Sequence, residues 1–139
     1  LLNADTYDRN PQYYAFPLWA AFGDKMLPVI TTYDPARELS VYAGWANATT
    51  VSLLAINKTD APITAEIKMD GMASAPLGIT ADVAAADSLD AQTVTFNGIS
   101  DPADDLSDAP PEALPESQNP FSYTFAPYSV TLLQIELSE

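Results

Sequence analysis

Val51-Ser52-Leu53-Leu54-Ala55-Ile56, followed by Asn57-Lys58-Thr59-Asp60-Ala61-Pro62 and then by Ile63-Thr64-Ala65-Glu66-Ile67-Lys68-Met69, is the stretch that decides the fold class. The first run is apolar at nearly every position and too short for a buried helix, so it reads as a central strand covered on both faces. The third alternates, with Ile63, Ala65, Ile67 and Met69 on one face and Thr64, Glu66 and Lys68 on the other, which is the period of a half-buried strand. The middle six residues carry Asn, Asp and Pro turn chemistry, and the reading makes them a hairpin loop that pairs the two strands antiparallel.

The same pattern extends outward on both sides. Short β-rich runs bounded by Pro, Gly, Asn and Asp fall at Met26–Thr32, Leu39–Trp45, Thr50–Asn57, Ile63–Met69, Leu77–Ala84, Thr93–Asn97, Phe121–Phe125 and Ser129–Leu137. This predicts an all-β fold, an antiparallel β-sandwich of about eight strands with one short N-terminal helix. The helix starts at Asn10-Pro11, where Asn suits the cap and Pro the first helical position, and stops at Gly23. Tyr13, Tyr14, Phe16, Leu18, Trp19 and Phe22 make it apolar on most of its surface, so it must dock on something, and Pro17 predicts a bend or break near Phe16. Ser100–Pro120, rich in Pro and Asp and without periodicity, reads as one long acidic loop. The expected boundaries are a helical segment over 1–24 and a sandwich over 25–139.

Composition narrows the chemistry. The 139 residues are enough for one core, and 47% hydrophobic content is that of a folded domain. With no Cys and no His, disulfides, thiolate metal sites, Cys or Ser/His nucleophile systems and imidazole acid–base catalysis are excluded. A net charge of −14 repels phosphate backbones and anionic bilayers, so neither nucleic acid nor membrane is an expected partner. No apolar run reaches the length of a membrane span, and Leu1-Leu2-Asn3-Ala4-Asp5 is not a signal peptide. No cofactor loop is present. Asp101, Asp104, Asp105 and Asp108 could offer oxygens to calcium, but without EF-hand spacing they read as a solvated loop. Asn47-Ala48-Thr49 and Asn57-Lys58-Thr59 fit the glycosylation sequon, Asn57 reading better as a turn residue.

Two segments carry a family resemblance. The first is Pro11-Gln12-Tyr13-Tyr14-Ala15-Phe16-Pro17-Leu18-Trp19-Ala20-Ala21-Phe22-Gly23-Asp24, followed by Leu39-Ser40-Val41-Tyr42-Ala43 and Val51-Ser52-Leu53-Leu54-Ala55-Ile56-Asn57-Lys58, and the second is Phe125-Ala126-Pro127-Tyr128-Ser129-Val130-Thr131-Leu132-Leu133. In order and spacing the chain resembles the C-terminal portion of barrel-plus-sandwich glycoside hydrolases of the endoglucanase, xyloglucanase and α-L-arabinofuranosidase types. The resemblance implies that the helix is the last helix of a catalytic barrel, that Tyr13, Tyr14, Phe16 and Trp19 form a domain interface, and that the parent enzyme acts outside the cell on plant polysaccharide. The catalytic barrel, in the same or a cleaved polypeptide, is then the expected partner. The other reading is that the helix folds back over this sandwich and caps its own β core.

Glycosidases of these types hold two carboxyl groups across the scissile bond. Here the glutamates are Glu38, Glu66, Glu112, Glu116, Glu136 and Glu139, and none stands in the Asn-Glu setting of the family's catalytic residues, so no catalytic role is assigned. Two functions compete: a noncatalytic module that packs on and stabilises the barrel, or an autonomous carbohydrate-binding module. The second would stack sugar rings on Trp45, Tyr42 and Trp19.

Overall fold

A computed structural model describes residues 2, 4–6, 8–72, 74–115 and 118–138. Among these residues ten strands form two antiparallel sheets with one helix: β1 (Lys25–Leu27), β2 (Leu39–Trp45), β3 (Thr50–Asn57), β4 (Ile63–Ile67), β5 (Gly78–Ala85), β6 (Thr95–Phe96), β7 (Ile99–Ser100), β8 (Glu112–Ala113), β9 (Phe121–Phe125) and β10 (Ser129–Glu136). The larger sheet runs β1-β2-β3-β10-β5-β6-β7, with β8 also paired to β5, and the smaller is β4-β9. The expected sandwich is present, and β2, β3 and β9 have the expected limits.

β3 is central, as its unbroken apolar run implied, but its neighbours are β2 and β10. The expected β3–β4 hairpin does not form, because β4 pairs with β9 in the other sheet. The cause is Asn57, which is 1% exposed and turns the segment into a corner between sheets. Its Nδ2 donates to the carbonyls of Ala61, Phe125 and Ala126 at 2.9, 3.2 and 3.0 Å. Its Oδ1 accepts from the Thr59 N–H and hydroxyl at 3.0 and 2.8 Å. Buried amide groups in such a setting must be paired, and here both ends are.

Because side chains alternate along a strand, the larger sheet is apolar on both faces. One face places Leu39, Val51, Ala55, Ile79, Leu133 and Ile135 against Phe121 and Phe125 of the small sheet. The other places Leu54, Ala84, Phe96 and Leu132 against Tyr14, Leu18 and Phe22. β4 has the alternating exposure expected of it and β3 is covered on both faces as its apolar run implied, while β2 and β10 are buried on both faces as well. Each fully buried Leu, Ile or Phe contributes roughly 1.5–3 kcal/mol.

The helical segment begins with a 3₁₀ turn (Pro11–Tyr14) and continues as α1 (Ala15–Phe22), and the Asn10 side chain makes no cap bond. In place of the expected bend or break near Phe16, the winding changes from 3₁₀ to α between Tyr14 and Ala15, just ahead of it. Pro17 then sits in the first turn of α1, where its missing N–H costs nothing. Gly23 ends the helix at φ +100°, and a Cβ there would lie 2.1 Å from the Trp45 carbonyl oxygen. Gly44 performs the complementary service on β2, letting the Phe22 ring lie against bare backbone.

Other expected limits shift by local rules. β1 stops at Leu27 because Pro28 has no N–H to donate. The stretch read as one loop contains β8 and the end of β7, the latter reached through a tight turn at Asn97-Gly98, both residues at positive φ. Asn97 ties this turn to the loop: its Nδ2 donates to Asp82 Oδ1 at 2.7 Å and to the Ala109 carbonyl at 2.9 Å, while its Oδ1 accepts from the Val83 N–H at 2.7 Å. No helix among the described residues is long and apolar enough to cross a membrane.

Two stability tests follow from groups the fold treats badly. Thr131 is fully buried in β10 and its Oγ1 has no hydrogen-bond partner among the described residues. Thr131→Val keeps the shape, removes the orphaned hydroxyl, and is expected to raise unfolding free energy by about 1 kcal/mol in urea titration; a loss of stability would contradict this. Burial raises the Asp82 carboxyl above the ordinary range, with the Asn97 bond opposing in part. The fold thus prefers the protonated acid, so the stability this group contributes is full below its unfolded pKa and falls as pH rises through the folded one. Asp82→Asn is expected to raise the melting temperature at pH 7, with the gain vanishing as pH drops below the usual carboxylate range.

Candidate functional site

Helix α1 is apolar on more faces than the sheet can cover. Tyr14, Leu18 and Phe22, at i, i+4 and i+8, point onto the larger sheet, which leaves Phe16 and Trp19, at i and i+3, on the outer side. Phe16 is 59% and Trp19 42% exposed. The Trp19 ring leans on two neighbours, Phe22 at 5.4 Å between centroids and Tyr42 of β2 at 5.6 Å. Tyr42 is 37% exposed and Met26, in register with Gly44 on the adjoining edge strand, 62%. Phe16, Trp19, Tyr42 and Met26 therefore form an apolar strip across helix and sheet. Val29 and Ile30, just beyond β1, are exposed as well.

The structure sorts the residues expected from sequence. Trp19 and Tyr42 come together. Trp45 does not join them: it lies at an odd position of β2, on the opposite face, packed against the core beneath the small sheet. Tyr14 also leaves the surface set, because it is buried between Leu18 and the Phe96 ring in the chain's own core. Burial raises its phenol above the usual range, an effect the nearby Arg9 charge reduces. Tyr13 is half-buried and meets Tyr14 edge-on at 5.5 Å.

The planes of Trp19 and Tyr42 are inclined by 59° and those of Trp19 and Phe22 by 62°. Rings set this way interlock with one another and with incoming side chains; a flat sugar chain needs ring faces that lie near one plane.

Arg9 is bridged to Leu2 just ahead of the helical segment, so no helical spacing marks it in the sequence. Its guanidinium stands 5.5 and 5.4 Å from the Tyr13 and Tyr14 ring centres and donates to Asp101 Oδ1 and the Pro102 carbonyl at 2.5 and 2.6 Å. The Asp101 hydrogen bond is the main reason its pKa is raised. Asp104 adds an ion pair at 3.6 Å. The remaining loop acids cap turns, Asp105 accepting from the Ser107 N–H and Asp108 from the Ala103 N–H. Among the described residues no cluster of three or more His, Cys, Asp or Glu could hold a metal ion.

Glu66, Glu112 and Glu136 are exposed on β4, β8 and β10, and Glu38 is exposed in the turn before β2, where its Oε2 accepts the Asp34 N–H. Glu116 and Glu139 lie outside the described residues. Of the two sequons, Asn57 is sealed in the core and Asn47 is exposed in the β2–β3 turn, where it accepts from the Thr49 N–H.

No protein-family model and no curated protein matches the sequence. Solved structures do match the fold. The glycoside hydrolase family 30 subfamily 8 xylanase of Clostridium acetobutylicum superposes with TM-score 0.65 at 16% identity, over 98% of this chain and 30% of that one. An arabinose-bound α-L-arabinofuranosidase of family 51 gives TM-score 0.64 at 15% identity, over 98% of this chain and 21% of that one. The family 44 xyloglucanase of Paenibacillus polymyxa gives 0.57 at 20% identity, over 83% and 19%. The chain thus spans less than a third of the length of these solved chains, and its fold is that of a small β-rich portion of several glycoside hydrolases.

Proposed function

We propose that this chain is a noncatalytic accessory domain of a glycoside hydrolase acting on plant cell-wall polysaccharide outside the cell, and that it packs on the catalytic barrel and stabilises it. The observation that carries this reading is the outer face of α1. A helix docked on its own sheet satisfies the hydrophobic effect with one face, yet Phe16 and Trp19 on the other remain in solvent beside Tyr42 and Met26. Contiguous exposed apolar surface of this kind marks a protein contact. The likeness to portions of xylanase, arabinofuranosidase and xyloglucanase chains supports a barrel as the occupant, and the resemblance in motif order supports a C-terminal position in the parent. Tyr13, at the start of the helical segment, would sit at the rim of that contact.

In the full-length enzyme, Phe16→Glu with Trp19→Glu is expected to lower the barrel's melting temperature by several degrees while the isolated chain keeps its circular dichroism spectrum. An unchanged barrel would sink the docking reading.

The alternative, an autonomous carbohydrate-binding module, draws on one observation: Trp19 and Tyr42 are adjacent and both partly exposed. Affinity electrophoresis of the isolated chain against xyloglucan, mixed-linkage glucan, xylan and arabinan separates the two. Given the inclined rings, Trp19→Ala is expected to leave mobility on every polymer unchanged; retardation that this substitution abolishes would favour the binding module.

A further inference from the structure

The open groove beside Arg9 lies apart from the Trp19 strip, and of its lining only Tyr13 also stands at the rim of the proposed barrel contact. Its volume is about 670 Å³, and Arg9, Tyr13, Thr93, Ser100, Asp101 and Asp104 line it. Clefts of roughly 300–1,000 Å³ are the size that holds small ligands. We propose that this groove is a binding site for an uncharged, hydroxyl-rich ligand, a short stretch of neutral polysaccharide. The choice of plant oligosaccharides as probes rests on the accessory-domain reading.

The lining selects that chemistry. Arg9 is held on three sides, by two tyrosine rings, by Asp101 and by the Pro102 carbonyl, and its side chain is only 14% exposed. It is a strut that sets the wall: its Nη1 has no hydrogen-bond partner among the described residues, but it is buried and stands 3.6 Å from Asp104 Oδ1, so it is not open to an anion. Asp101 and Asp104 keep side chains that are 88% and 97% exposed, offering carboxylate oxygens to vicinal hydroxyls. Ser100 and Thr93 can donate or accept beside them. Tyr13 supplies an apolar wall for the C–H face of a sugar ring. Anionic ligands are opposed by the two aspartates, by Asp8 on the same rim and by the chain's net charge of −14. A metal ion would need a donor cluster that the described residues do not provide.

The test is a ¹H–¹⁵N titration of the chain with xylo-, cello-, xyloglucan- and arabino-oligosaccharides, repeated on Tyr13→Ala and Asp104→Ala. Asp104 is exposed, so that variant should stay folded even if the Tyr13 change loosens the helix start. Saturable shifts centred on residues 8–14 and 93–104, weakened at least fivefold in Kd by Asp104→Ala, are expected. No shifts with any probe, shifts centred on Trp19 and Tyr42, or groove binding untouched by Asp104→Ala would each overturn the proposal. Barrel docking is read from Phe16 and Trp19 in the full-length enzyme, so failure of one proposal is distinguishable from failure of the other.

Discussion

One buried amide holds the two sheets in relation to each other. Asn57 ends β3 in the larger sheet and grips the carbonyls of Phe125 and Ala126, where β9 of the smaller sheet passes into β10. A hydrophobic core alone is indifferent to sliding, because dispersion and water exclusion have no direction. Five directed contacts from a residue without solvent access do fix position, since any slip strands polar groups in a low-dielectric interior. The Tyr128 N–H adds a bond to the Thr59 carbonyl, so both corner segments are tied to each other as well. The register of β3 against β10 starts from this point, with Ser129 opposite Asn57.

From that joint the molecule builds outward as three layers. The small sheet covers one face of the larger, and the helical segment covers the other. The second cover is thinner: α1 contributes Leu18 and Phe22, the preceding turn Tyr14, and the acidic loop folds in Ala109. Arg9 and Asn97 fasten that loop from opposite ends, one through its carboxylates and the other through its carbonyls. The excess of acids is therefore partly structural, placed where N–H groups and one guanidinium need acceptors.

Much of the architecture was legible because each central strand announces itself locally. β2, β3 and β9 have the limits that periodicity and flanking turn residues give. Partner choice was not legible. Asn57-Lys58-Thr59-Asp60 has the composition of a hairpin loop, and only contacts with residues nearly seventy positions further on turn it into a corner. The same limit applies to the site. That Trp19 would be surface and near Tyr42 could be suspected, but the two tryptophans look alike in sequence, and Trp45 goes to the core because of its parity on β2. Arg9 and its groove depend on bringing the acidic loop against the helix start, a contact with no local signature.

The position of β10 has a consequence for how the chain comes to be folded. It is the last strand in sequence and lies in the middle of the larger sheet, bonded along its whole length to β3 on one side and β5 on the other. On a ribosome the two halves of that sheet cannot meet until β10 has emerged, so the helix and the first strands wait as an unfinished surface. During that interval α1 can meet β2 and β3, through Trp19 on Tyr42 and Phe22 over Gly44, but it lacks the part of its cover that β10 supplies. Any surface already folded and able to hold the helix would shorten the interval during which these segments can misassemble.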